Sequence, residues 1–165
     1  MSHNLQALVY RRGMAKRVLG DSAFPRIRLS QGFEMLPQRL EIEKELTIRF
    51  SKSPTHTSGK KPVLGYLSRD FAALACAISA QTKVVYIETE FFGGHGEQSS
   101  IVWDRGSVIL GPLTASTSDS SWSTSAEARP RWPINNALRT IGVKRNGKAD
   151  EFAGLGLEEH RDTED

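Results

Sequence analysis

The sequence predicts a single α+β domain in which a mostly antiparallel sheet is covered on one face by two amphipathic helices. Three observations lead to this prediction. The length of 165 residues fits one domain, here 1–165. Two segments repeat apolar residues with the period of a helix, and the strongest β-rich segment is followed directly by further β-rich segments.

The first fifty residues give the weakest pattern. The segment LQALVYRR is a short candidate strand, and the residues after it are too rich in Gly, Ser and Pro to assign. In LEIEKELTIRF, the alternation of Leu46, Ile48 and Phe50 predicts a half-buried strand, and a helix through Leu40 to Leu46 is the competing interpretation. Residues 51–62 are predicted to form an exposed, flexible loop that joins two halves of the sheet.

The first clear helix begins after Ser68, which can cap its N-terminus, and Asp70 lies favourably in its first turn. Cys76 lies in its Ala-rich middle and is expected to be a small core residue rather than a nucleophile. The apolar residues that define the inner face are Phe71, Leu74, Ala75 and Ile78.

The segment KVVYIETE is the best strand, and we expect it to be central because it is β-branched or aromatic from Val84 to Ile87. Since side chains alternate along a strand, Glu88 and Glu90 share the face opposite to that of Thr89.

The rest of the chain contains a hairpin, a polar loop and a second helix. A turn at Asp104, Arg105 and Gly106 predicts a β-hairpin. The flexible loop at 114–132 carries Trp122 and Trp132, which we expect either to dock back or to contact a partner. The second helix begins at Pro133 and ends at Gly142, and the acidic tail at 158–165 is expected to fray; the apolar face of this helix comprises Ile134, Ala137, Leu138 and Ile141.

Composition narrows the classes of function. Lys and Arg number 22 against 19 acidic residues, and this excess of three charges is too small and too scattered to predict a nucleic-acid-binding protein. No apolar run is long enough to span a membrane, and a single cysteine suggests a reducing compartment, so we expect a cytoplasmic protein. We expect no cofactor.

The glycine-rich segment at 93–96, between two β-rich runs, allows two interpretations. Its glycines permit strained backbone as in an oxyanion hole, and His95 could then act as a base or a metal ligand. Alternatively, the glycines make a bulged connection between antiparallel strands, His95 faces solvent and Gln98 satisfies backbone groups. The second interpretation is favoured because no known metal spacing, nucleophile elbow or Walker loop occurs.

The glycine-rich segment and its flanking strands, together with two segments nearer the C-terminus, resemble those of a known protein family. The segments VVYIETEFFGGHGEQSSIVW, INNALRTIGV and DEFAGLGLEEHRDTED resemble a family of small, mostly uncharacterised bacterial proteins with a YIExEFFGGxGxQ core motif. The resemblance covers the C-terminal half and implies an accessory role, as in the immunity factors that accompany secreted toxins. The positions that match are Glu88, Glu90, Phe92, Gly93, Gly94, Gly96 and Gln98, whereas His95 occupies a variable position.

From these observations we expect a non-enzymatic protein-interaction factor of immunity or accessory type, with a protein partner. The alternative is a small hydrolase or metal-dependent enzyme that uses the carboxylates of Glu88, Glu90 and Glu97. The sequence assigns no catalytic residue and no metal ligand. The predicted binding residues are Glu88, Glu90, Phe92, Gly93, Gly94, Gly96, Glu97, Gln98 and Trp122.

Overall fold

The computed structural model describes residues 3–20, 24–50, 64–120 and 122–163. In these ranges, six strands form one sheet in the order β2-β3-β1-β4-β5-β6, and each neighbouring pair of strands is antiparallel. The α+β class and the antiparallel sheet are therefore confirmed. The strands are β1 (His3–Arg11), β2 (Ile27–Arg28), β3 (Phe33–Pro37), β4 (Val84–Phe92), β5 (His95–Asp104) and β6 (Ser107–Ser116).

The helices lie on both faces of the sheet, and the prediction that both amphipathic helices cover one face is wrong. One core cluster joins Tyr86 of β4 to Phe71, and the other joins Ile87 of β4 to Ile134. Because consecutive residues of a strand point to opposite faces, β4 is covered on both sides. The helices are α1 (Lys16–Leu19), α2 (Leu40–Phe50) and α3 (Arg69–Ile78), which pack on the Tyr86 face, and α4 (Pro133–Thr140) and α5 (Glu151–Leu155), which pack on the Ile87 face.

The apolar pattern of each helix alone could not reveal this arrangement. Both α3 and α4 have an apolar face, and the side of the sheet that each helix covers is set by the chain connections between them. The central position of β4 was predicted correctly, since it lies between β1 and β5. No helix in the described ranges combines the length and the apolar character needed to cross a membrane.

Residues 40–50 form a helix, so the prediction of a strand there is wrong and the competing interpretation is correct. A helix buries Ile42 and Leu46, which lie four residues apart, whereas Ile48 is 65% exposed. Arg49 and Glu45, also four residues apart, form an ion pair at 2.6 Å. Leu46 and Ile48, two of the residues whose alternation predicted a strand, lie on different sides of the helix.

The ends of α3, of α4 and of the β5–β6 hairpin follow the sequence signals. The Ser68 hydroxyl accepts the Phe71 N–H at 3.0 Å and caps α3. Gly142 follows α4 with φ of 92°. Arg105 and Gly106, both with positive φ, form the turn between β5 and β6. The predicted loop at 51–62 lies outside the described residues.

The tail is attached to the sheet as far as Thr163, further than its composition predicted. The Gln6 N–H donates to Thr163 Oγ1 at 2.9 Å, and the Thr163 N–H donates to the Asn4 carbonyl at 2.9 Å. Leu155 and Leu157 are fully buried against the Ile87 face of the sheet. These contacts bring α5 beside the start of β1, where the Phe152 ring of α5 lies against the His3 ring of β1.

Candidate functional site

The glycine-rich segment is a tight hairpin turn between β4 and β5. Phe92 pairs with His95, and the two residues between them, Gly93 and Gly94, have φ of 60° and 84°. Two consecutive positive φ values are those of a type I′ turn, whose twist suits antiparallel strands. The predicted connection between strands is therefore present, but it is not bulged. The register irregularity of this sheet lies between β5 and β6.

Gly96 is required for close packing rather than for its backbone conformation. A Cβ atom there would lie against the Glu90 carbonyl and 2.7 Å from the Phe91 Cα atom. On its other side, the Gly96 N–H donates to Thr117 Oγ1 at 3.0 Å and its carbonyl accepts the Thr117 N–H at 2.8 Å. The end of the hairpin is thereby fixed to the residues that follow β6.

Glu88 is a structural residue, because its carboxylate connects β4 to the segment that precedes α3. Oε1 accepts the Gly65 N–H at 3.1 Å, and Oε2 accepts the Tyr66 N–H at 3.2 Å and the Tyr86 hydroxyl at 3.0 Å. The residue is 8% exposed. Burial, more than the adjacent Glu88 carboxylate, raises the pKa of Tyr86, so the phenol remains a hydrogen-bond donor.

Glu90 and Glu97 bring two negative charges together at the exposed end of the hairpin. They are directly opposite each other in the β4–β5 register, and both are exposed. The Tyr66 hydroxyl donates to Glu90 Oε2 at 2.6 Å, and this hydrogen bond is the largest cause that raises the pKa of Tyr66. In the described residues, no Lys or Arg forms an ion pair with either carboxylate.

Phe92 is the most exposed large hydrophobic residue in the part of the chain that the structure describes, at 79%. It borders a shallow surface cavity of about 410 Å³ at the side of the hairpin, together with the exposed His95. The cavity is otherwise lined by polar or small residues, namely Glu90, Gly96, Glu97, Ser116, Thr117 and Ser118.

The carboxylates do not converge as a metal centre would require. Across residues 3–20, 24–50, 64–120 and 122–163, no three His, Cys, Asp or Glu side chains come together in a way that could hold an ion. Glu88 is engaged with three donors, and Glu90 is engaged with Tyr66. The geometry therefore gives no support to the metal-dependent alternative.

A second cavity, of about 400 Å³, lies on the opposite face of the same hairpin. Trp122 docks back onto this face, where its ring stacks on Trp132 at 4.7 Å with an angle of 16° between the planes. The Phe91 ring contacts Trp122 at 5.6 Å. Trp132 is held in turn by its indole N–H, which donates to the Ser123 carbonyl at 3.0 Å.

The polar groups of this aromatic pocket come from distant parts of the chain. Gln98 Oε1 accepts the Ile134 N–H at 3.1 Å, which satisfies a donor in the first turn of α4. The prediction that Gln98 satisfies a backbone group is thus confirmed. Asp150 Oδ1 accepts the Ala153 N–H at 2.9 Å and caps α5. His3 also lines the pocket, with its ring centroid 5.4 Å from that of Phe152.

The nine predicted binding residues therefore lie in four different places. Trp122, Gln98 and Gly94 line the aromatic pocket. Glu88 lies inside the fold on the other face, and Gly93 shapes the turn. The remaining four residues border the shallow surface cavity at the side of the hairpin; they are Glu90, Phe92, Gly96 and Glu97.

Sequence reasoning missed much of the aromatic pocket. Phe91 could have been assigned from strand alternation, because it continues the face of Thr89. Asp150 could have been recognised as a cap, since it precedes a short apolar segment. His3 gave no signal, because only the pairing of β1 with β4 places it there.

Three comparisons with known proteins were made, and no family model, curated protein or solved structure matches this chain. The resemblance drawn from the YIExEFFGGxGxQ motif therefore stays an expectation.

Proposed function

We propose that this chain is a non-enzymatic protein-interaction factor that binds its partner through the end of the β4–β5 hairpin. The observation that carries the proposal is the 79% exposure of the Phe92 ring. Aromatic side chains, Phe among them, are enriched at protein interfaces, and the hydration of an exposed aromatic ring is unfavourable in the free protein.

The backbone around Phe92 is held by several specific contacts, which favours binding. Gly93 and Gly94 form a two-residue turn, Gly96 packs tightly on Glu90 and Phe91, and Glu88 fixes the preceding part of β4. A surface that is already ordered loses little conformational entropy when it binds.

The charges around Phe92 indicate the kind of partner. Glu90 and Glu97 face each other across the hairpin, and neither forms an ion pair within the described residues. We therefore expect a partner surface with an apolar pocket for Phe92 and basic side chains at its rim. An immunity-type or accessory role is the finer form of this proposal, because an acidic inhibitor surface suits a basic toxin site.

The experiment is affinity capture from a lysate of the source organism with the wild type, Phe92→Ser and Met14→Ser, followed by mass spectrometry. Met14 is the matched control: it is 40% exposed and lies beyond the opposite end of β1 from the hairpin. We expect one protein whose recovery falls at least tenfold with Phe92→Ser and is unchanged with Met14→Ser. Recovery that is equal with all three proteins would contradict the proposal.

Salt dependence provides a second readout for the captured protein. If basic residues surround the Phe92 pocket, Glu97→Gln should slow association and reduce its dependence on ionic strength. Biosensor kinetics at low and high salt measure both effects. An association rate that is independent of salt would refute the charge part of the proposal.

A further inference from the structure

The aromatic pocket on the far side of the hairpin is a formed cavity whose walls are flat rings. The Trp122 and Trp132 rings are stacked, and the Phe91 ring contacts Trp122 at a tilted angle. Ile134 and Phe152 complete the apolar lining. A volume of about 400 Å³ lies within the usual range of small-molecule sites, and such sites are mostly apolar with a few converging polar groups. The walls favour a flat molecule of one or two rings.

Asp150 is the charged side chain among the residues that line this pocket. It is 8% exposed, and Oδ1 caps α5, whereas Oδ2 makes no hydrogen bond with any described residue. No Lys or Arg in the described residues forms an ion pair with Asp150, and Arg139 and Arg145 pair with the next residue, Glu151. Oδ2 is not sealed in the core, so it can accept a hydrogen bond from a ligand N–H in the cavity.

Gln98 and His3, which also line the pocket, are compatible with a flat ligand that carries N–H donors. Gln98 uses Oε1 for the Ile134 N–H, while its amide nitrogen has no partner among the residues described. Burial is the largest cause that lowers the pKa of His3, so its imidazole is neutral at pH 7 and does not repel a cation. Asp150 is therefore the charged side chain among the residues that line the pocket, and Gln98 adds an amide N–H donor. The other polar lining residues besides His3 are Thr89, Thr117, Thr124 and Asn135.

We propose that this pocket binds a planar nitrogen heteroaromatic molecule whose N–H groups donate to Asp150 and whose ring lies against Trp122. Asp150 and Trp122 line the same pocket, and the ligand would donate to Asp150 Oδ2, which accepts no hydrogen bond from the described residues. This site is on the opposite side of the sheet from Phe92, and the proposal does not depend on a protein partner.

The test uses two flat bicyclic probes of similar size and opposite charge, 2-aminobenzimidazole and indole-2-carboxylate. In calorimetric titrations of the full-length wild type, we expect binding of 2-aminobenzimidazole and at least tenfold weaker binding of indole-2-carboxylate. Equal or reversed affinities, or no binding of 2-aminobenzimidazole at millimolar concentration, would overturn the proposal.

Two variants and one spectroscopic measurement locate the binding. Asp150→Asn keeps an N-cap acceptor but removes the charge, so α5 should stay intact while affinity for 2-aminobenzimidazole falls at least tenfold. Trp122→Leu should reduce the affinity by a similar factor. In ¹⁵N-tryptophan spectra, the probe should shift the indole signals of Trp122 and Trp132 and leave the signal of Trp103, which lies in the other core cluster, unchanged. Affinity unchanged in both variants, or a shift of Trp103 alone, would show that the probe binds elsewhere and refute the proposal.

Discussion

Replacing Glu88 by glutamine should destabilise the protein, because one carboxylate holds three donors there. In Glu88→Gln, the amide oxygen can replace Oε2 and keep the Tyr66 N–H and the Tyr86 hydroxyl as partners. The amide nitrogen then faces the Gly65 N–H, which loses its acceptor. Hydrogen bonds to a charged group contribute roughly 1.5–3 kcal/mol and neutral ones about 1 kcal/mol.

One bond is therefore lost and two are weakened, so the free energy of unfolding should fall by about 2–3 kcal/mol. Glu88→Ala removes all three acceptor contacts and should cost about 3–4 kcal/mol, since the Tyr86 hydroxyl is left in the core. Urea unfolding at pH 7, followed by far-UV circular dichroism, measures both values.

Glu97→Gln is the matched control, because Glu97 is an exposed carboxylate on the neighbouring strand. It should change the free energy of unfolding by less than about 0.5 kcal/mol. If Glu88→Gln were as stable as the Glu97→Gln control, the structural role assigned to Glu88 would be refuted.

Three further predictions concern the hairpin and two titrating groups. Gly96→Ala should lower the free energy of unfolding by more than about 3 kcal/mol, because the added Cβ atom would clash with the backbone of β4. Gly93→Asn should be nearly neutral, since Asn-Gly suits a type I′ turn. Thermal melts of both variants show whether each glycine is needed for close packing or for its positive φ. Burial lowers the pKa of His3, so the unfolded state binds a proton to this imidazole more readily than the folded state does. The free energy of unfolding should therefore fall as the pH drops below about 6.5, and it should fall less in His3→Gln. Equal pH slopes in the wild type and the variant would contradict this. In Glu90→Gln, loss of the charged acceptor should move the pKa of Tyr66 down towards 10, as measured by ultraviolet absorbance during alkaline titration, and an unchanged midpoint would refute the assigned cause.

Local signals predicted the elements that depend on local chemistry. The cap at Ser68, the left-handed Gly142 after α4 and the turn at Arg105–Gly106 are each set by neighbouring residues, and each was found where expected. The alternation of β4 also predicted which of its side chains share a face, because that geometry is fixed by the strand itself.

The failures depend on contacts between distant segments. Alternation in residues 46–50 predicted a strand, but burial of Ile42 and Leu46 against α3 and the sheet selects a helix. The placement of α3 and α4 on opposite faces follows from chain connections that no periodicity describes. Part of the aromatic pocket was missed for the same reason, since His3 and Asp150 are far apart in sequence and meet only in the fold.

Site-specific photo-crosslinking tests whether the end of the β4–β5 hairpin binds a protein partner. A benzoylphenylalanine side chain placed at the exposed His95, beside Phe92, samples the proposed surface, and one placed at Met14 samples the far end of the sheet. After irradiation in lysate of the source organism, we predict a single crosslinked protein from position 95 and none from position 14. The same crosslinked protein from both positions, or one from position 14 only, would contradict the claim.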